Sequence, residues 1–124
     1  LGSMENLDKA LSASDIILAP WKKTALSTAL LAAQASGVKI FASDVLSEKI
    51  NVTDTVHFLS LKKPARAWAC EIMNFIFNED KRIISTNNQI ESRRHLSEHN
   101  CNIILRNGYD IIDNLKKINR IYEL

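Results

Sequence analysis

Long apolar runs are missing from this sequence: no uninterrupted stretch approaches the roughly 20 residues that a membrane-spanning helix needs, although 46% of the 124 residues are hydrophobic. The N-terminus carries no secretory signal pattern either, so the chain reads as neither membrane-spanning nor exported, and a cytoplasmic setting is expected. Charge of one sign is also scarce. The formal net charge is +2, and lysines and arginines are scattered from Lys9 to Arg120, which leaves no basic footprint for nucleic acid. Cysteine is limited to Cys70 and Cys101, both expected to be reduced thiols. Repeats and low-complexity linkers are absent, so the chain reads as a single domain with no room for a second. Leu1-Gly2-Ser3 directly before Met4 reads as an expression-tag remnant, which leaves residues 4–124 as the folding unit.

What is present alternates between short apolar runs and helical patterns. Met4 to Ser14 has Leu7, Ala10 and Leu11 at helical spacing. Asp15-Ile16-Ile17-Leu18-Ala19 is a continuous apolar run closed by Pro20, which suits a buried parallel strand. Lys23 to Ser36 is Ala- and Leu-rich, with Leu26, Leu30, Leu31 and Ala33 on one side and Gly37 at the stop. Val38 to Ala42 predicts a second strand, Leu46 to Asn51 a short turn or helix, and Val56 to Ser60 a third strand. A helix then opens at Lys62-Lys63-Pro64, carries Trp68, Ile72, Met73 and Ile76 on one apolar face, and is expected to stop near Asn78. Glu79 to Asn107 is polar and Asn-rich, with room for one or two helices. Beyond Gly108, Asp110 to Leu124 predicts an amphipathic helix with Ile111, Leu115, Ile118 and Tyr122 as its stripe. The fold class that follows is α/β: a partial Rossmann-like domain of about three parallel strands flanked by helices, with a helical C-terminal half.

Asp15-Ile-Ile-Leu-Ala-Pro20, Leu30-Leu-Ala-Ala-Gln-Ala-Ser-Gly-Val38 and Phe41-Ala-Ser-Asp44 together resemble the C-terminal, donor-binding domain of bacterial family-4 glycosyltransferases. The resemblance continues through Val52 to Ser60 and the Trp68 helix, fades after Asn78, and returns at Gly108 to Lys117 with Ile121-Tyr122. It implies a Rossmann-like fold, a nucleotide-sugar donor and a role in capsule or exopolysaccharide synthesis. In that family the first of these strands leads into a Glu-Gly-Leu-Pro turn, followed by a second glutamate. The glycine admits backbone amides to the donor, the helix N-terminus faces its phosphates, and the second carboxylate accepts both ribose hydroxyls. Here the matching positions are Thr24, Ala25, Leu26 and Ser27, with Ala32 in place of the second glutamate. A methyl cannot accept a hydroxyl hydrogen bond, and losing such recognition costs about two orders of magnitude in affinity. Only weak nucleotide-sugar binding is therefore expected, with no catalytic residue, cofactor or metal assigned. The family's acceptor domain would have to come from a separate protein.

Lys22 and Lys23 start the best helix, where a cation opposes the helix dipole unless an anion binds. With Thr24, Ser27 and Thr28 nearby, two readings stand: a vestigial phosphate site, or solvated lysines in a loop. His95 and His99 share a helix face close to Glu91 and Glu98, but without a zinc-protease pattern a surface helix is the simpler reading. His57 reads as a satisfied core residue and Cys70 as a small buried hydrophobe. Trp21 and Trp68 read as packing anchors, with Trp21 placed where open α/β sheets bind ligands. The pairs Arg93-Arg94 and Lys62-Lys63 lack interleaved aromatics and read as solvated charge.

By the resemblance, the three strands are the last half of a sheet of about six, so the Asp15–Ala19 edge is left apolar and unpaired. A homodimer is expected, through that edge or by exchange of the C-terminal helix. Two functions fit this sequence. One is a glycosyltransferase-like fragment or degenerate paralogue that is inactive alone; the other is a non-catalytic protein-interaction module on the same scaffold.

Overall fold

The structure, a computed structural model, describes residues 7–22, 28–46, 48–83 and 89–110. Its elements run α1 (Leu7–Ser12), β1 (Ile16–Ala19), α2 (Thr28–Ala35), β2 (Lys39–Ser43), a 3-10 turn at Glu48–Ile50, β3 (Val56–Leu59), α3 (Ala65–Ile83) and α4 (Gln89–Ile104), ending in a π-type turn at Leu105–Tyr109. The strands form one parallel sheet in the order β1-β2-β3, the expected α/β class. None of the described helices is long and apolar enough to cross a membrane.

Register divides the side chains cleanly between two layers. Ile17 pairs with Ile40 and Ile40 with Val56, and Ala19 pairs with Ala42 and Ala42 with Phe58. These rows face α1 and α2, where Leu11, Leu30, Ala33, Leu46 and Ile50 complete the main core. The alternate row, Leu18-Phe41-His57, faces α3, where Phe41 and Leu59 pack with Trp68, Ile72 and Phe75. Apolar residues at successive strand positions are thus explained by cover on both faces, the requirement of a parallel sheet.

The ends of α2 and α3 follow from backbone chemistry. Pro64 lacks an N–H and precedes the first turn of α3, where its carbonyl accepts from the amides of Ala67 at 2.9 Å and Trp68 at 3.3 Å. Gly37 ends α2 with φ at +71° and donates its amide to Gln34 O at 3.1 Å. Gln34 is fully buried and pins the β2–β3 connection to α2. Its Oε1 accepts from Val52 N, Thr53 N and Thr53 Oγ1 at 3.0 to 3.2 Å, and its Nε2 donates to Ile50 O at 2.8 Å.

Several expectations need correction. α3 runs to Ile83, past the stop expected near Asn78, because Glu79, Lys81 and Arg82 are good helix formers and Glu79 is held to Lys39 at 3.1 Å. Cys70 is exposed: two residues beyond Trp68 on a helix of 3.6 residues per turn, it points away from the sheet. Met73, placed on the apolar face, is 47% exposed, and Trp21, read as an anchor, is 41% exposed. Trp21 follows the end of β1, beyond the reach of either core layer, whereas Trp68 is buried as expected. Among the described residues the polar stretch after Ile83 carries one helix, α4, within the one or two expected. Asp110 is extended, with φ −78° and ψ 120°, and the expected helix from there to Leu124 lies outside the described residues.

Candidate functional site

Two features occupy the sheet's carboxyl end and its β1 side. The first is the row of strand ends, where open α/β sheets characteristically receive ligands. Ala19 leads to Pro20-Trp21-Lys22, Ser43 to Asp44, and Leu59 to Ser60-Leu61-Lys62. Ser43 Oγ donates to Trp21 O, tying the β1 and β2 exits together. Asp44 N donates to Leu59 O at 2.9 Å, and Asp44 Oδ1 accepts from Leu61 N at 3.3 Å. The exposed carboxyl of Asp44 is held below its ordinary value, first by a hydrogen bond with the Ser60 side chain. Trp68 Nε1 donates to Ser60 O at 2.9 Å, which anchors the β3 exit to α3.

The second feature is a groove of about 520 Å³ between the end of β1 and α3. Leu18 and Pro20 line it from β1, Ala65, Trp68, Ala69, Ile72 and Met73 from α3, and Leu61 and Lys63 from the segment between β3 and α3. The cause is the lateral position of α3. Its Phe75 sits against Phe41 at 5.4 Å and against His57 at 4.5 Å between ring centroids, over β2 and β3. Leu18, third in the same row, is left 55% exposed. The polar side-chain groups in the lining are committed: Lys63 to Glu71, and Trp68 Nε1 to Ser60. Small-molecule sites depend on a few well-placed polar groups, and this lining is mostly apolar.

The residues expected to form a donor site fare unevenly. Lys22 stands exposed just beyond β1, while Lys23, Thr24, Ala25, Leu26 and Ser27 lie outside the described residues. Ala32 is half-buried and packs against the main core. His57 packs against both Phe41 and Phe75, stacked on Phe41 at 5.2 Å. Its pKa is lowered by burial and then by Lys39, with Glu79 opposing, which suits a neutral packing ring. His95 and His99 are exposed on α4, and Arg94 forms an exposed pair with Glu98 at 3.7 Å. Among the described residues no group of three or more His, Cys, Asp or Glu could hold a metal ion.

Sequence reasoning identified the apolar β1 edge and missed the groove beside it. Its available signal was the small-residue spacing Ala65 and Ala69 ahead of Met73, which leaves a furrow on α3 wherever no neighbour fills it. Compared with protein-family models, curated proteins and solved structures, the chain matches none.

Proposed function

We propose that this chain is a non-catalytic protein-interaction module on a Rossmann-like scaffold, one that receives an apolar polypeptide segment against β1 and α3. Leu18 carries the reading: it is a leucine on a sheet face, 55% exposed, on a strand that is an edge of the described sheet and beside an apolar groove. An unprotected edge favours pairing with another chain, and an apolar furrow next to it supplies side-chain specificity. A photo-crosslinking amino acid placed at Leu18 in living cells tests this. Capture of a defined polypeptide at position 18, with none at the exposed Leu105, is the expected result. Equal capture at both positions, or none at either, overturns it.

A second reading has support from the strand ends and from the sequence resemblance. In it the chain is a glycosyltransferase-like protein of polysaccharide biosynthesis, a fragment or degenerate paralogue inactive alone, working with a separate acceptor-domain protein. Lys22, Asp44 and Lys62 follow β1, β2 and β3 at the end where such a sheet takes its ligand, and the packing role of Ala32 argues against strong donor binding. Titration with uridine and guanosine diphosphate sugars separates the two readings: amide shifts at Lys22 and Asp44 favour the second, and unmoved resonances at millimolar ligand remove it. In either reading the free thiols Cys70 and Cys101 suit a reducing, cytoplasmic setting.

A further inference from the structure

We infer that Asn107-Gly108 is a site of spontaneous covalent modification, at which the folded chain converts the Asn107 side-chain amide to a carboxylate by way of a cyclic imide. It is the one Asn-Gly step in the sequence. The backbone nitrogen of Gly108 attacks Cγ of Asn107, an N–Cγ bond forms, and the Cγ–Nδ2 bond breaks. Ammonia leaves with the proton that the Gly108 nitrogen gives up. Water then opens the five-membered imide at either of its carbonyls, leaving aspartate or an isoaspartyl linkage with one more backbone carbon. The residue after the asparagine governs the barrier, because its side chain crowds the attacking nitrogen, and glycine has none.

Geometry separates Asn107 from the other described asparagines. It is exposed in the turn Leu105–Tyr109 beyond the carboxyl end of α4. Gly108 leaves helical geometry with φ at +85°, and nothing lies within 4 Å of the position a Cβ would take, so this peptide unit is open on that side. The Asn107 amide is restrained by Nδ2 donating to Ile103 O at 2.9 Å, in a closing turn where fraying opens the backbone at least cost. Asn74 and Asn78 sit inside α3, followed by Phe75 and Glu79, and Asn102 sits inside α4, followed by Ile103. Asn100 is fully buried. Asn51 Oδ1 accepts from Val56 N at 3.1 Å, and the stiff, β-branched Val52 follows it.

The product acts on α4. A carboxylate at the carboxyl end of a helix opposes its dipole, and the donor to Ile103 O is lost. Both changes loosen the turn next to Ile104, the buried last residue of α4. Net charge falls by one from +2. The step needs no reagent but water and runs one way, so the converted fraction records the age of the chain.

Incubation of the full chain in native, mildly alkaline buffer, followed by cation-exchange separation and peptide mapping by mass spectrometry, tests the inference. The expected result is an earlier-eluting species that has gained a water and lost an ammonia, with the change confined to Asn107 and isoaspartate present there. Asn107→Gln, whose longer side chain closes a six-membered ring less readily, should form at least about tenfold less product at this position. The modified species should unfold at a lower temperature than its parent, as should Asn107→Asp. An unmodified Asn107 in the folded chain, or conversion at the same rate at Asn51, Asn74 or Asn100, overturns the inference. Conversion that begins only when urea unfolds the chain overturns it as well. A modified species as stable as its parent overturns the loosening of α4.

Discussion

Arg93 Nη2 donates to Leu11 O at 2.8 Å, fastening the second turn of α4 to the carboxyl end of α1. The same guanidinium donates from Nη1 to Ser14 O at 3.0 Å and from Nε to Ser36 O at 3.4 Å. Below it, Ser97 Oγ donates to Ala35 O and Asn100 Nδ2 to Gln34 O, each at 2.7 Å. Residues 93, 97 and 100 share one face of a helix, and that face adds side-chain donors to the last carbonyls of α1 and α2, where intrahelical partners run out. The positive charge of Arg93 also suits the negative ends of both helix dipoles.

Arg93→Ala should therefore destabilise the fold by about 2 to 4 kcal/mol, since three charge-assisted bonds to carbonyls are lost from a half-buried site. Arg93→Lys should recover less than half of that, because one ammonium cannot reproduce the planar fork. Urea unfolding midpoints check both values. Equal stability of the alanine variant and the parent would show the cap to be ornamental.

The weight carried by Arg93 explains why α4 was hard to read. Binary patterning finds helices by an apolar stripe, and the buried face of α4 runs through Arg93, Ser97 and Asn100 before reaching Ile104. Its layer packs largely through donors to carbonyls, which hydrophobic periodicity cannot register. The strands were legible for the opposite reason: Ile16 to Ala19, Lys39 to Ser43 and Val56 to Leu59 are apolar runs bounded by Pro20, Asp44 and Ser60. The groove was illegible because it depends on how far α3 sits from Leu18, a lateral offset fixed by the packing of Phe75 against Phe41 and His57. Ala32 shows the same limit: the sequence places it on α2, and only packing shows that its methyl lies against the core.

Gly37 offers a second test of how closely α4 is seated. A Cβ there would lie 3.1 Å from Arg93 O and 3.3 Å from Ser97 N, both backbone atoms, in a residue whose φ is +71°. Gly37→Ala should cost about 2 to 3 kcal/mol from backbone strain and displaced contact together. Gly108→Ala has a comparable φ of +85° with nothing within 4 Å of the added carbon, so it should cost only about 1 kcal/mol. Thermal unfolding of the two variants gives the comparison, and a Gly108 penalty equal to that of Gly37 would contradict the close approach of α4.

Gln34 gives a third. Truncation to alanine leaves the amides of Val52 and Thr53 and the carbonyl of Ile50 without their partner in a buried site, a loss of about 3 kcal/mol or more. Gln34→Glu keeps the acceptor and removes the donor to Ile50 O, and it also buries a charge. It should be no better than alanine near neutral pH and should regain stability on acidification as the carboxyl protonates. Denaturant titrations at two pH values decide this; a glutamate variant as stable as the parent at neutral pH would refute the reading.

The pH dependence of His57 has a definite sign. Burial, and after it the charge of Lys39, hold its pKa below the ordinary 6.5, while Glu79 pulls the other way. In the window from 6.5 down to the depressed native value the unfolded chain binds a proton that the native state refuses, so stability rises with pH there. The contribution is fully present above pH 6.5 and is lost as the pH falls through that window. His57→Phe keeps an aromatic ring against Phe41 and Phe75 and should flatten this part of the profile. Glu79→Gln removes the opposing charge, releases Lys39 from its pair, and should lower the native pKa further and steepen the loss. An NMR titration of the His57 ring, read with unfolding free energies across the same pH range, measures both effects. A native pKa at or above 6.5 would mean that the Phe41-His57-Phe75 stack does not exclude the charged ring.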